Sequence, residues 1–260
     1  MVKSVSSWND ITVGMYIELY DILIEPSESK TFEIISLFYD ISMDEVEALD
    51  FETYIDIESK LDFINKPISK ASDSFELSGI TFQLIDFNMI EFGAFIDLEA
   101  LITDKENIIR NTPKIFSILY RPILKEETLL HKAVLDPYGD WLDKRVPLFE
   151  SVPISLVYNS ISEYTKFRNM LYEQYQGMFE TKEEMSDEDI KQLELEKMHM
   201  TDTESKEEEK LERVNKWGWE LLLLKLANNE PLNIEAATMM PLLQAFNILS
   251  MAHELGLSGE

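Results

Sequence analysis

Chemistry in this chain would have to come from three histidines, fifty carboxylates and the hydroxyl side chains, because there is no cysteine. His131, His199 and His253 are the residues that would ligate a metal or act as general bases. Each stands alone in its segment, with no His or Cys at a ligand spacing, so all three read as structural or surface residues. Carboxylates are too abundant for any pair to be informative. Acid–base work needs two groups whose surroundings drive their pKa values apart, and no such pair is marked out. Asp136-Pro137-Tyr138-Gly139-Asp140 reads as a turn and lacks the ligand pattern of a calcium loop. There is no phosphate-cradling glycine loop, dinucleotide fingerprint, nucleophile elbow or zinc-protease helix. The expectation is therefore a protein that is not an enzyme, with no catalytic, cofactor-binding or metal-ligating residues.

What the residues do suggest is packing. Ile11-Thr-Val-Gly14-Met-Tyr16-Ile17-Glu18-Leu19 returns as Ile90-Glu-Phe-Gly93-Ala-Phe95-Ile96-Asp97-Leu98. Each copy precedes a second apolar segment, Ile34–Tyr39 in the first and Ile115–Tyr120 in the second. The pattern predicts two amphipathic helix pairs, with Gly14 and Gly93 at places where another element comes close. A glycine inside a helix costs about 1 kcal/mol against alanine, so its return at the same place needs a packing reason. Paired apolar helices can form a groove for an amphipathic partner. Tyr16, Tyr20, Phe95 and Leu98 are the candidate contacts, and the competing position for all four is the core. Trp217 and Trp219 are further candidate anchors, since aromatic residues dominate interface hot spots. Leu221 to Leu224 beside them suit a core equally well.

The elements that must position these residues are mostly helical. Thr12 or Asp10 caps a helix through about Ile24, and Pro26 ends it. Thr31 to Ile41 is the next helix. Ser42-Met-Asp44-Glu45 reads as a capping box, and Asp50 caps a helix that runs towards Pro67. Phe75 to Leu84 alternates around Ser78-Gly79, which predicts a tight hairpin that packs on the helices or pairs with another chain. Asn88 is the expected cap of the second motif copy, and Thr112-Pro113 opens its partner helix. Residues 125–151 are less regular, with a short helix expected from Asp140 to Val146. Pro153 opens a long apolar helix through about Phe179. Asn233 caps a final segment that Pro241 interrupts or restarts. The fold class is mainly α, a helical bundle with a tandem helix-pair repeat and one small β-hairpin. The expected divisions are a repeat region with the hairpin at 1–124, a connecting segment and long helix at 125–179, an acidic arm or helical hairpin at 180–213, and a C-terminal apolar helical segment at 214–260.

Charge narrows the partners. The formal net charge is −27 and the pI about 4.4. Phosphate neutralisation requires Lys and Arg, so direct nucleic-acid binding is not expected. Such a surface favours basic partners and keeps the chain soluble. Glu180 to Arg213 is strongly acidic, but Lys182, Lys191, Lys197, Lys206 and Lys210 are interspersed, which suits charge pairs along a solvated helix better than mimicry of DNA. The first residues lack an apolar signal core, and no apolar run approaches the roughly 20 residues of a membrane span. The sequence reads as a cytosolic protein without a membrane contact.

One resemblance follows from these residues. Trp8-Asn-Asp-Ile-Thr-Val-Gly14-Met-Tyr-Ile-Glu-Leu, Leu61-Asp-Phe63-Ile-Asn65, the hairpin Phe75 to Leu84 and the closing Trp217-Gly-Trp219 … Leu226-Ala-Asn … Leu243 resemble proteins of Bacteroidetes-type tailed bacteriophages. These are regarded as tail assembly chaperones or related virion proteins. The resemblance covers most of the chain except the acidic stretch, and it implies no active-site residue. It implies a non-enzymatic chaperone that shields an apolar helical virion protein, possible partners being a tape-measure protein or another virion component. The alternatives are a virion structural or packaged cargo protein, and an acidic decoy of a nucleic-acid-binding host protein. Its place would be the host cytoplasm during assembly, or the virion. The sequence leaves the oligomeric state open.

Overall fold

The computed structural model describes residues 5–68, 71–126, 128, 133–139, 142–176 and 218–255. The fold is mainly α-helical with one small antiparallel sheet. It divides into two compact units. One comprises Met1–Ile90 and Asp97–Arg168, the other Glu91–Ile96 and Asn169–Glu260. The division runs through the second motif copy. The acidic segment at 180–213 lies outside the described residues.

In the first unit, α1 (Val13–Ile24) starts where the Thr12 side chain accepts the Met15 N–H at 3.2 Å. After α2 (Lys30–Tyr39), Ser42 and Glu45 form the expected capping box at the start of α3 (Met43–Glu47). Asp50 caps α4 (Phe51–Lys60) by accepting the Thr53 N–H at 2.9 Å. Between Phe92 and Thr103 a helix, α5, carries the second motif copy. It does not start from Asn88. Asp86 instead holds the Asn88 N–H at 3.1 Å in a short 3-10 turn, and Glu91 is drawn into backbone pairing before the helix begins.

α6 (Thr112–Leu119) is buried on every side except at Lys114, with Thr112 and Ser117 buried among its apolar residues. It packs along α7 (Leu142–Glu150), which runs through Pro147 rather than ending before it. The long helix expected from Pro153 is two helices, α8 (Ile154–Val157) and α9 (Asn159–Gln174), parted at Tyr158.

The hairpin is present, and it belongs to a larger sheet than the sequence indicated. β1 (Ser74–Leu77) and β2 (Ile80–Leu84) join through Ser78 and Gly79, with φ of 53° and 78°. Positive φ at both positions is the geometry that matches the twist of a two-residue hairpin. β3 (Tyr120–Lys125) and β4 (Val134–Leu135) extend it in the order β1-β2-β3-β4, all antiparallel. The hairpin thus finds its partner in its own chain. Phe75 and Phe82 stack 5.7 Å apart across the strands, and Phe149 of α7 meets Phe82 edge-on at 5.4 Å. Pro122 has no N–H to give the sheet, and its carbonyl accepts from Asp136 at 2.8 Å.

The motif recurs structurally in a way its sequence did not reveal. Thr12 forms a lone antiparallel bridge with Pro153, where the Val13 N–H donates to Val152 at 2.9 Å and the Ile154 N–H donates to Ile11 at 2.8 Å. In the second unit Glu91 bridges Pro241, and the Phe92 N–H donates to Met240 at 2.8 Å. Pro153 and Pro241 both cap the helix that follows, with nearly equal backbone angles. Each motif copy therefore docks the start of its helix on the start of a proline-headed helix. That pairing satisfies backbone groups at helix ends that have no intrahelical partner.

The second unit is built on aromatic rings. Phe92 and Phe95 meet Phe246 of the helix Leu242–Glu254 edge-on at 6.1 and 5.5 Å. Trp219 lies flat between Tyr172 and Phe246, at 6.5 and 6.2 Å. Tyr175 donates its hydroxyl to Asn247 at 2.6 Å.

Candidate functional site

Two of the expected contact residues, Tyr16 and Tyr20, line a groove of about 340 Å³ in the first unit. Three parts of the chain hold it. Residues on one face of α1, including Leu19 and Leu23, form one wall. Trp8, from the short turn ahead of α1, closes one end by donating its indole N–H to the Lys66 carbonyl at 2.9 Å. Tyr158 and Asn159 supply the third side, where Asn159 donates to the Ile68 carbonyl at 3.0 Å.

The rings brace one another. Trp8 meets Phe63 edge-on at 5.2 Å and Tyr16 at 6.1 Å, and Tyr16 meets Tyr158 at 5.4 Å. Burial, then the hydrogen bond with Tyr158, pushes the Tyr16 hydroxyl well above its ordinary pKa. It stays protonated at neutral pH. Lys66 is the one charged residue lining the groove among the described residues, and its amine lies 3.4 Å from the Asp62 carboxylate. Tyr20 and Leu23 are 38% and 43% exposed, so the apolar wall opens at the surface. Such a site can take apolar side chains and orient them through a few polar edges.

The other expected contacts lie elsewhere. Phe95 and Leu98 are fully buried, because the face that carries the motif is also the face that seals the core. Trp219 is half-buried in the ring cluster of the second unit, 5.1 Å from Phe95. Trp217 lies outside the described residues. Gly14 has a packing reason: a Cβ added there would come within 3.3 Å of the Glu150 carbonyl at the end of α7. The groove walls Trp8, Ile64 and Tyr158 were not among the contacts expected from the sequence, although Trp8 and Ile64 lie in the motifs that carry the resemblance. Trp8 carried a weak signal as a lone tryptophan just before a helix cap.

Several buried polar groups outside the groove pair with one another. Glu99 is 3% exposed, with Tyr164 donating to one oxygen at 3.1 Å and Arg168 3.8 Å from the other. Arg145 pairs with Asp136, and Tyr138 donates to Asp97. Among the described residues no group of His and carboxylate side chains could hold a metal ion, and no helix is long and apolar enough to cross a membrane. No family model matches the chain, and no curated protein or solved structure matches it.

Proposed function

We propose that this chain is a non-enzymatic assembly protein of a tailed phage, acting as a tail assembly chaperone that shields an apolar helical segment of a virion protein. The observation that carries the binding reading is the open aromatic groove with Tyr16, Tyr20 and Leu23 along α1. The phage assignment rests on the resemblance of the Trp8–Leu19 segment, the Leu61–Asn65 segment, the hairpin and the Trp217–Trp219 block. An assembly chaperone must cover apolar surface on a partner until that surface is built into the particle. A strongly negative exterior then keeps the complex from associating further.

The test is quantitative mass spectrometry of infected-cell lysate and purified virions. Abundance in lysate with absence from particles is the expected result. A fixed copy number per particle would replace the chaperone reading with a structural or cargo role. Tyr20→Glu places a charge on the groove rim without emptying the core. It is expected to weaken the virion partner by at least about tenfold, the scale of a lost hot spot. A folded variant that retains full partner binding removes the groove from the reading.

A further inference from the structure

The opposite face of α1 borders a second depression, of about 410 Å³, against α2 and the start of α3. At helical spacing, Glu18, Asp21 and Ile22 point away from the face of Tyr16, Leu19, Tyr20 and Leu23. The floor is aliphatic, made by Ile22, Leu37 and Met43, and three carboxylates stand around it: Glu18, Asp21 and Glu33. From Val13 to Glu47 the chain carries nine carboxylates against one cation, Lys30. Lys30 is turned to the Leu23 carbonyl at 2.7 Å. Asp21 has a partner in Arg110 at 3.1 Å, and Glu33 accepts from the Ser27 hydroxyl at 2.5 Å. Glu18 is exposed.

We propose that this depression docks an amphipathic helix of a partner protein that carries Lys or Arg on both sides of an aliphatic stripe. Aliphatic side chains spaced three and four residues apart would seat on Ile22, Leu37 and Met43, as helices do in grooves. The flanking cations would face Glu18 and Glu33, while Asp21 is held by Arg110 at the rim. The charge complementarity selects this occupant: an anionic or neutral helix would leave the carboxylates facing like charge or losing water without return. The proposal rests on the reading of this chain as a binding protein, but on none of the residues that line the aromatic groove and not on the phage assignment.

The experiment uses the full chain and a labelled synthetic helix of about 18 residues, built from Leu, Ala and Lys with one leucine stripe. Two controls have the same composition in scrambled order, or Gln in place of Lys. Fluorescence anisotropy at near-physiological salt is expected to show the striped Lys peptide binding at least about tenfold tighter than either control. Glu18→Lys is expected to weaken it at least about fivefold, whereas Glu76→Lys, the same charge change at an exposed position of β1, stays within about twofold. Met43→Gln tests the floor, with circular dichroism and thermal unfolding confirming the fold. Equal binding of the scrambled peptide, or equal loss with Glu76→Lys, would mean general charge attraction and overturn the site. So would no binding at all. If Tyr20→Glu removes the peptide and Glu18→Lys does not, the peptide belongs to the aromatic groove. This proposal then fails while the binding reading stands.

Discussion

Capping side chains set the local boundaries of the first unit, and their chemistry makes separate predictions. Thr12 accepts the Met15 N–H in the first turn of α1, at the point where the chain also pairs with Pro153. Thr12→Ala is expected to cost about 1 kcal/mol in urea unfolding, the usual worth of an N-cap hydroxyl. A loss near zero would mean that the bridge alone holds the helix start. The capping carboxylates respond to pH instead. The Ser42 backbone N–H, then its hydroxyl, holds Glu45 below its ordinary pKa, and the Thr53 backbone N–H does the same first for Asp50. Their folded values lie below the unfolded ones of about 4. Their stabilisation is therefore present above that range and is lost as pH falls through the lowered folded values. Glu45→Gln is expected to show a smaller drop in urea midpoint between neutral pH and about pH 3 than the parent chain. An equal drop would remove Glu45 from the acid sensitivity.

At the scale of elements, the sheet is held by rings more than by its length. β4 has two residues, and β1 has four. Phe82 sits where β2 faces both Phe75 and Pro122, is 1% exposed, and carries Phe149 on its inner side. Phe82→Ala is expected to cost about 3–5 kcal/mol by urea unfolding, the range for deleting a buried phenylalanine. A value below about 1 kcal/mol would show that the ring cluster closes around the gap. The hairpin turn and the alternation of β1 and β2 were legible in the sequence, because positive φ and alternating burial are local properties. β3 and β4 were not. Tyr120–Lys125 continues directly from a buried helix, and its apolar residues suit either state until β2 supplies hydrogen-bond partners.

For the whole molecule the dominant quantity is charge. A net −27 on 260 residues sets like charges against one another in any compact state. Raising NaCl from low concentration to roughly 0.5 M shortens the screening length to a few ångströms. The thermal midpoint is expected to rise by about 2–6 °C, corresponding to about 1 kcal/mol or somewhat more of relieved repulsion. A fall in the midpoint would mean that ion pairs such as Arg145–Asp136 and Arg110–Asp21 outweigh the repulsion.

The sequence by itself determined the helical class, the caps at Ser42 and Asp50, the Ser78-Gly79 turn and the acidic composition, and it narrowed the α1 cap to Thr12 or Asp10. Each depends on neighbours a few residues away or on composition. Only the tertiary structure decided which helix starts pair and which faces remain open. Thr12 meets Pro153, and Glu91 meets Pro241, through backbone bonds that any residue with a free N–H or carbonyl can make. Sequence therefore carries no mark of the partner. The groove shows the same reason at the level of side chains. Tyr16 and Phe95 hold matching places in the motif, yet one lines a surface groove and the other is sealed among rings. Apolar faces are interchangeable in pattern, and what covers each of them is settled by packing across the whole chain.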